Sequence, residues 1–344
     1  MRATEVASVL NVDGLSIAYE LKTGAVRAVD NVSMSIKPHE LVAAVGESGC
    51  GKTTLGLSII GLLPSPPAKY VAGEVDFNGR NLLSLAPEEM RLYRGTEISM
   101  IFQEPMTSLN PVFRIGNQIE EALKLRESRD KASVTSGPNP RELPSRTRKN
   151  DRKKQIIDVL NLVRIPDPER VVDRYPFELS GGMRQRVMIG MALAQKPSLL
   201  IADEPTTALD VTTQAQVLKL MRGLMEEVDT SILLITHDLA VASQVADKIA
   251  VMYAGQIVED GEVLDLFSHP LHPYTQGLLA CIPSGSKEEM KLKPIQGSAP
   301  DLRNIPPGCK FAPRCPYVTK RCEATKPELM IKEGSHRVAC YLHQ

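Results

Sequence analysis

Three short stretches of this chain combine residue types that could bind and break a phosphate chain. Gly46-Glu47-Ser48-Gly49-Cys50-Gly51-Lys52-Thr53 fits G-x-x-x-x-G-K-[ST] without a mismatch. Its glycines, Gly46, Gly49 and Gly51, let backbone N–H groups wrap phosphates without side-chain clash. Lys52 would reach the β- and γ-phosphates, and Thr53 would supply an oxygen to Mg²⁺, with Ser48 and Thr54 completing the loop. Cys50 occupies a variable position of the same nucleotide-binding loop and reads as filler. Further on, Leu199-Leu200-Ile201-Ala202-Asp203-Glu204 is an apolar run that delivers two carboxylates at its end. Asp203 would hold Mg²⁺, directly or through water, and Glu204 would polarise an attacking water as general base. Between them lies Leu179-Ser180-Gly181-Gly182-Met183-Arg184-Gln185-Arg186. Ser180 with the amides of Gly181 and Gly182 would open a helix and turn unpaired N–H groups toward an anion.

These stretches need elements to hold them. Leu41 to Val45 is wholly apolar, as suits a strand buried in a parallel sheet, and it runs straight into the glycine-rich turn. A helix follows, ending near Leu63, where Pro64, Pro66 and Pro67 would stop it. Ile98–Phe102, Leu199–Ala202 and Ile232–Ile235 suit further parallel strands, separated by helical patterns, so the core is α/β. Val9–Tyr19 and Ala28–Ile36 alternate like half-buried antiparallel strands, and Lys248–Glu259 reads as a hairpin turning at Ala254-Gly255. Between Arg126 and Lys154 three prolines and ten Lys or Arg against four Asp or Glu indicate a solvated, mobile excursion. Beyond Phe267 the chain turns proline-rich and irregular, which places a boundary there.

Composition narrows the partners. Over 344 residues, 41 Lys plus Arg balance 41 Asp plus Glu, so no bulk basic field draws in nucleic acid or anionic lipid. No apolar run approaches a spanning helix and no leader is evident, so the expectation is a polypeptide that meets a membrane only through partners. Six cysteines occur, and Cys309, Cys315, Cys322 and Cys340 crowd the last 36 residues with spacing C-x5-C-x6-C-x17-C. In a reducing compartment such a group reads as metal or cluster ligation, and chemistry alone leaves zinc and an iron–sulfur cluster comparable.

The Leu179–Arg186 stretch, downstream of the phosphate loop, resembles the signature of ATP-binding-cassette ATPases. Four more residues stand where that family's motifs would put them. Gln103 resembles the glutamine that contacts Mg²⁺ and the attacking water and hinges the helical lobe. Asp210, in Thr207-Ala208-Leu209-Asp210, resembles the subunit-contact loop, and His237 the switch histidine that contacts the γ-phosphate. Tyr19 lies where an aromatic stacks on adenine, although an ordinary strand tyrosine would look the same. The resemblance implies a RecA-like parallel-sheet core, an antiparallel β subdomain and a helical signature subdomain at about 104–190. These would make an ATPase domain over 1–267, followed by an irregular cysteine-bearing region over 268–344. It also implies that two such chains meet head-to-tail over two ATP molecules.

Gly46-Glu47-Ser48-Gly49, Met100–Pro111, Glu204–Val211 and His272–Leu279 are similar in particular to the oligopeptide and dipeptide importer ATPases. That resemblance covers nearly the whole chain and implies ATP hydrolysis coupled to peptide import at the cytoplasmic face of a membrane. The implied partners are a second, non-identical ATPase, two transmembrane permeases and an extracytoplasmic binding protein, with no nucleic acid. Oligosaccharides or nickel chelates are alternative cargoes, and a soluble, non-transport ATPase is the rival of a different class. The same resemblance favours a [4Fe–4S] cluster over zinc on the four tail cysteines. Two places depart from the pattern: Pro38-His39-Glu40 lacks a common turn glycine, and the 126–154 excursion is long.

Overall fold

The computed structural model describes residues 8–22, 24–103, 108–135, 149–207, 209–282 and 295–344. Among these the strands are, in chain order, β1 (Leu10–Leu21), β2 (Gly24–Ile36), β3 (Leu41–Val45), β4 (Ala68–Phe77), β5 (Arg80–Asn81) and β6 (Ile98–Ile101). They continue with β7 (Leu199–Asp203), β8 (Ser231–Thr236), β9 (Lys248–Tyr253), β10 (Gln256–Glu262), β11 (Met330–Glu333) and β12 (His336–Val338). The chain divides into two compact units, one formed by Met1–Ser84 with Leu233–Gln344, the other by Leu85–Ile232.

In the first unit β2-β1-β4-β5 form an antiparallel sheet, and a second sheet runs in the order β11-β12-β10-β9-β3-β8. β3 pairs in parallel with β9, Val42 opposite Lys248 and Val45 opposite Val251. Every residue of β3 is buried, which explains its unbroken apolar run. Each of its larger side chains contributes about 1.5–3 kcal/mol on burial. The predicted hairpin is present: Tyr253 faces Gln256 across a two-residue turn, with Ala254 at φ 46° and Gly255 at φ 83°.

The helix after the phosphate loop spans Lys52–Ile59, shorter than the sequence suggested. Gly61, at φ 62°, ends it: its N–H reaches Ser58 O and the N–H of Leu62 reaches Leu57 O, before any proline is met. His39 takes φ 56° in the turn where the glycine is missing, and Glu40 N closes that turn on Lys37 O at 3.2 Å. The C-terminal region, expected to be irregular, also adds β12 to the edge of β10, with Glu259 opposite Val338. Glu259, fully buried, receives His336 Nε2 at 2.8 Å and the backbone N–H groups of Leu271 and His272. One carboxylate thus ties the last strand to the segment that follows β10.

In the second unit β6 and β7 pair in parallel, Ile98 opposite Leu199 and Ile101 opposite Ala202. Helices Ile115–Thr135, Lys149–Leu162 and Gly181–Leu193 pack on one another and bury Ile119, Leu160, Val187 and Ile189. Gly190 permits that approach, since a Cβ there would stand 3.1 Å from Val159 and 3.3 Å from Val163. The 126–154 excursion begins and ends in the first two of these helices, while its residues 136–148 lie outside the described residues. Glu104–Thr107 and Ala208, within stretches that carry the family resemblance, lie outside them too. Among the described residues no helix is long and apolar enough to cross a membrane.

Candidate active site

β3 delivers the chain into the glycine loop, and the loop is clamped from below. Gly51 sits at φ 104°, and a Cβ there would come within 2.2 Å of Ala28 O. Only glycine satisfies both demands. Gly51→Ala is expected to destabilise the unit by at least about 2 kcal/mol, because the clash is with backbone and the φ is unfavourable. Urea denaturation of the two proteins measures this, and equal midpoints would contradict it. Cys50 is buried, and its backbone carbonyl accepts the N–H of Gly255 at 2.8 Å, a contact independent of its side chain that joins the loop to the hairpin turn. Burial raises the pKa of its thiol, so it packs as a neutral group.

Lys52, only 5% exposed, curls back over the loop. Its Nζ donates to Gly46 O at 2.7 Å and to Glu47 O at 3.0 Å, so the ammonium is fixed at the centre of the cradle. Thr53 and Ser48 are exposed, with their hydroxyls open to an approaching group. Tyr19, half-exposed on β1, brings its hydroxyl to 3.5 Å from Thr54 Oγ1, so the predicted adenine platform does border the loop helix. His237 is exposed in the corner between β8 and the next helix. That corner is set by Asp238, which accepts from Val241 N at 3.0 Å and donates its N–H to Thr236 Oγ1 at 3.1 Å.

The second unit carries the carboxylates. Asp203 ends β7 and is 1% exposed. Glu204 follows at φ 46°, a left-handed conformation that costs a residue with a Cβ about 1 kcal/mol. Its Oε2 accepts from Gln103 Nε2 at 3.3 Å and from Thr207 Oγ1 at 2.8 Å. The sequence pointed to Glu204 and Gln103 separately and set Thr207 in the subunit-contact stretch; the structure brings Glu204 and Gln103 together and adds the Thr207 hydroxyl to the same carboxylate.

Ser180 caps the helix Gly181–Leu193, its Oγ accepting from Met183 N at 3.3 Å. Asp210 caps Val211–Val228 in the same way, and the hydrogen bond from Thr213 lowers the pKa of its carboxyl. The two helix starts share a cleft of about 480 Å³ lined by Ser180, Gly181, Gly182, Arg186 and Asp210. A Cβ at Gly182 would stand 2.6 Å from Thr213 Cγ2, so a larger residue there would have to push that methyl aside. Two N-terminal turns and a serine hydroxyl open on this cleft, an arrangement suited to an anion.

The four tail cysteines form no disulfide and line one small cavity with Phe311, Tyr317 and Tyr341. The N–H of Cys309 donates to Cys322 O at 2.7 Å. Burial, with the neighbouring thiols, raises Cys309 to about 11. As the side chains stand, no group of three or more His, Cys, Asp or Glu among the described residues is arranged to hold a metal ion.

The sequence model of the ABC transporter family matches residues 29–207, and that of the oligopeptide/dipeptide transporter C-terminal region matches residues 258–322. The chain belongs to the ABC transporter family. Within it, this ABC protein is 45% identical to the oligopeptide transport ATP-binding protein AppD of Bacillus subtilis, over 98% of both chains. It is 44% identical to the dipeptide transport ATP-binding protein DppD of Escherichia coli, over 97% of this chain and 96% of that one. Among solved structures, the dimeric bacterial ABC transporter cassette MJ0796 superposes with a TM-score of 0.61 at 26% identity, covering 74% of this chain and 98% of its own. The cassette fold expected from the motifs is therefore the fold of this ABC protein.

Proposed function

We propose that this chain is the ATP-hydrolysing subunit of a binding-protein-dependent importer for dipeptides and oligopeptides. The observation that carries the reading is similarity over nearly the full length to peptide transport ATP-binding proteins, with every phosphate-handling motif intact. Lys52 and the loop amides hold the β- and γ-phosphates, Tyr19 stacks on adenine, and His237 reads the γ-phosphate. By the family resemblance, Thr53 would give Mg²⁺ a hydroxyl oxygen, and Gln103 and Asp203 an amide and a carboxylate oxygen, each a hard donor of the kind Mg²⁺ takes. Mg²⁺, when bound, would neutralise phosphate charge. Glu204 takes the proton of the attacking water, and Gln103 and Thr207 fix its carboxylate for that task.

Ser180, Gly181, Gly182 and Asp210 act on the ATP held by a second, non-identical ATPase, so closure needs two chains and hydrolysis reopens them. The second unit also presents an apolar cleft of about 380 Å³ lined by Phe102, Leu109, Leu125, Met188 and Met191. That cleft supports docking on a helix of a permease, at the cytoplasmic face of the membrane. In this reading the division of labour follows the sequence, an ATPase domain to about residue 267 and an importer-type region beyond it.

Extraction from native membranes in mild detergent, with mass spectrometry of what accompanies the chain, tests this reading. Two permeases and a sister ATPase support it; a chain found only with ribosomes or alone contradicts it. Co-purification with a sugar- or nickel-binding protein would move the cargo to the alternatives.

Four free tail cysteines offer thiol donors of the soft kind that a [4Fe–4S] cluster uses. Cys309, Cys315, Cys322 and Cys340 would hold it, and the bound group would cross-link a region with little core of its own. Anaerobically purified chain is expected to contain about four iron and four acid-labile sulfide per polypeptide. Stoichiometric zinc, or no metal at all, would contradict that assignment.

A further inference from the structure

Arg314 lies between Cys309 and Cys315 in the tail, and Glu47 lies inside the phosphate loop, 267 residues away in sequence. They meet as a two-pronged ion pair. Arg314 Nη1 donates to Glu47 Oε2 at 2.9 Å, and Nη2 donates to Oε1 at 3.1 Å. The Arg314 side chain is 6% exposed and that of Glu47 28%. Other contacts fix the guanidinium: Nε donates to Gln296 O at 3.0 Å, and Nη1 reaches the Tyr253 hydroxyl at 3.4 Å. The loop is tied to the same region by Glu47 N–H, which donates to the Tyr274 hydroxyl at 3.0 Å.

A carboxylate next to Gly46 and Ser48 is an awkward neighbour for a polyphosphate. It lies within a Debye length of anything the loop holds, and its charge repels. A rigid guanidinium that engages both its oxygens cancels that repulsion. We infer that Arg314 is a positioning residue of the phosphate loop, and that the docked tail sets nucleotide affinity by neutralising Glu47. This rests on the reading that the loop holds ATP.

The signs of two single substitutions separate charge neutralisation from mere bracing. Calorimetric titration of the full chain with MgATP at low salt is the measurement. Arg314→Gln is expected to weaken binding by about three- to tenfold, because the Glu47 charge is left uncompensated. Glu47→Gln is expected to tighten it by a similar factor, because the Arg314 charge is then released toward the phosphates. The double variant should return to within about twofold of wild type, and all differences should shrink as salt is raised. If both single variants weaken binding and the double variant is no better, the ion pair is only a brace and the inference is overturned. Should Arg314→Gln fail to fold, Glu47→Gln decides alone: tighter binding supports the inference, unchanged or weaker binding overturns it. A wild-type chain that does not bind MgATP would instead remove the ATP reading of the loop. Normal wild-type binding with unaltered variants removes only the role of Arg314.

Discussion

Glu204→Gln is expected to lower steady-state ATP hydrolysis by about 10²–10⁴-fold while leaving ATP binding intact. The carboxamide keeps an oxygen for the Thr207 hydroxyl, now 2.8 Å from Oε2, so local structure changes little. What disappears is the capacity to accept a proton from water. Because binding survives and cleavage does not, the proposed closed pair with a second ATPase should accumulate in its ATP-bound form, visible as a shift in size on gel filtration with ATP. ADP should not produce that shift. Hydrolysis at the wild-type rate would refute Glu204 as the base.

Lys52→Met is the second large effect, and it falls on binding instead. The ammonium bridges Gly46 O and Glu47 O in a place that is 5% exposed, and the methionine stem fills the same space without the charge. Charge-assisted hydrogen bonds to phosphate oxygens are worth about 1.5–3 kcal/mol each, so MgATP affinity should fall by about 10- to 100-fold. The two loop carbonyls also lose their donor, which should lower the thermal midpoint by a few degrees. Titration of each protein with MgATP and a melting curve without it resolve the two effects. Wild-type affinity in the variant would contradict the part assigned to Lys52.

The cradle, the carboxylate pair and the strands that carry them were legible because each motif sits on a buried apolar run. β3, β7 and β8 are buried along their whole length, so their composition alone marks them. β4 gave no such signal: from Lys69 to Glu74 it is exposed, with neither alternation nor an apolar run. β11 is exposed throughout and was equally silent. The end of the helix at Ile59 was misplaced because Gly61 acts through its backbone, whereas the prolines beyond it are conspicuous in composition. The Thr207–Glu204 contact and the Arg314–Glu47 pair were invisible for a different reason. Threonine and arginine are common, and their meaning here comes only from what folding sets beside them. Long-range polar contacts leave no periodic trace in a sequence, whereas phosphate-handling loops do, since backbone geometry dictates their glycines.

ATP cleavage by this chain drives peptide uptake. Its most direct test is uptake of radiolabelled di- and oligopeptides by cells in which the wild-type chain is replaced by the Glu204→Gln variant, with a labelled sugar as control. Peptide uptake should fall to the level of a deletion strain while sugar uptake is unchanged. Peptide uptake that persists at the wild-type rate, or loss confined to the sugar, would contradict it.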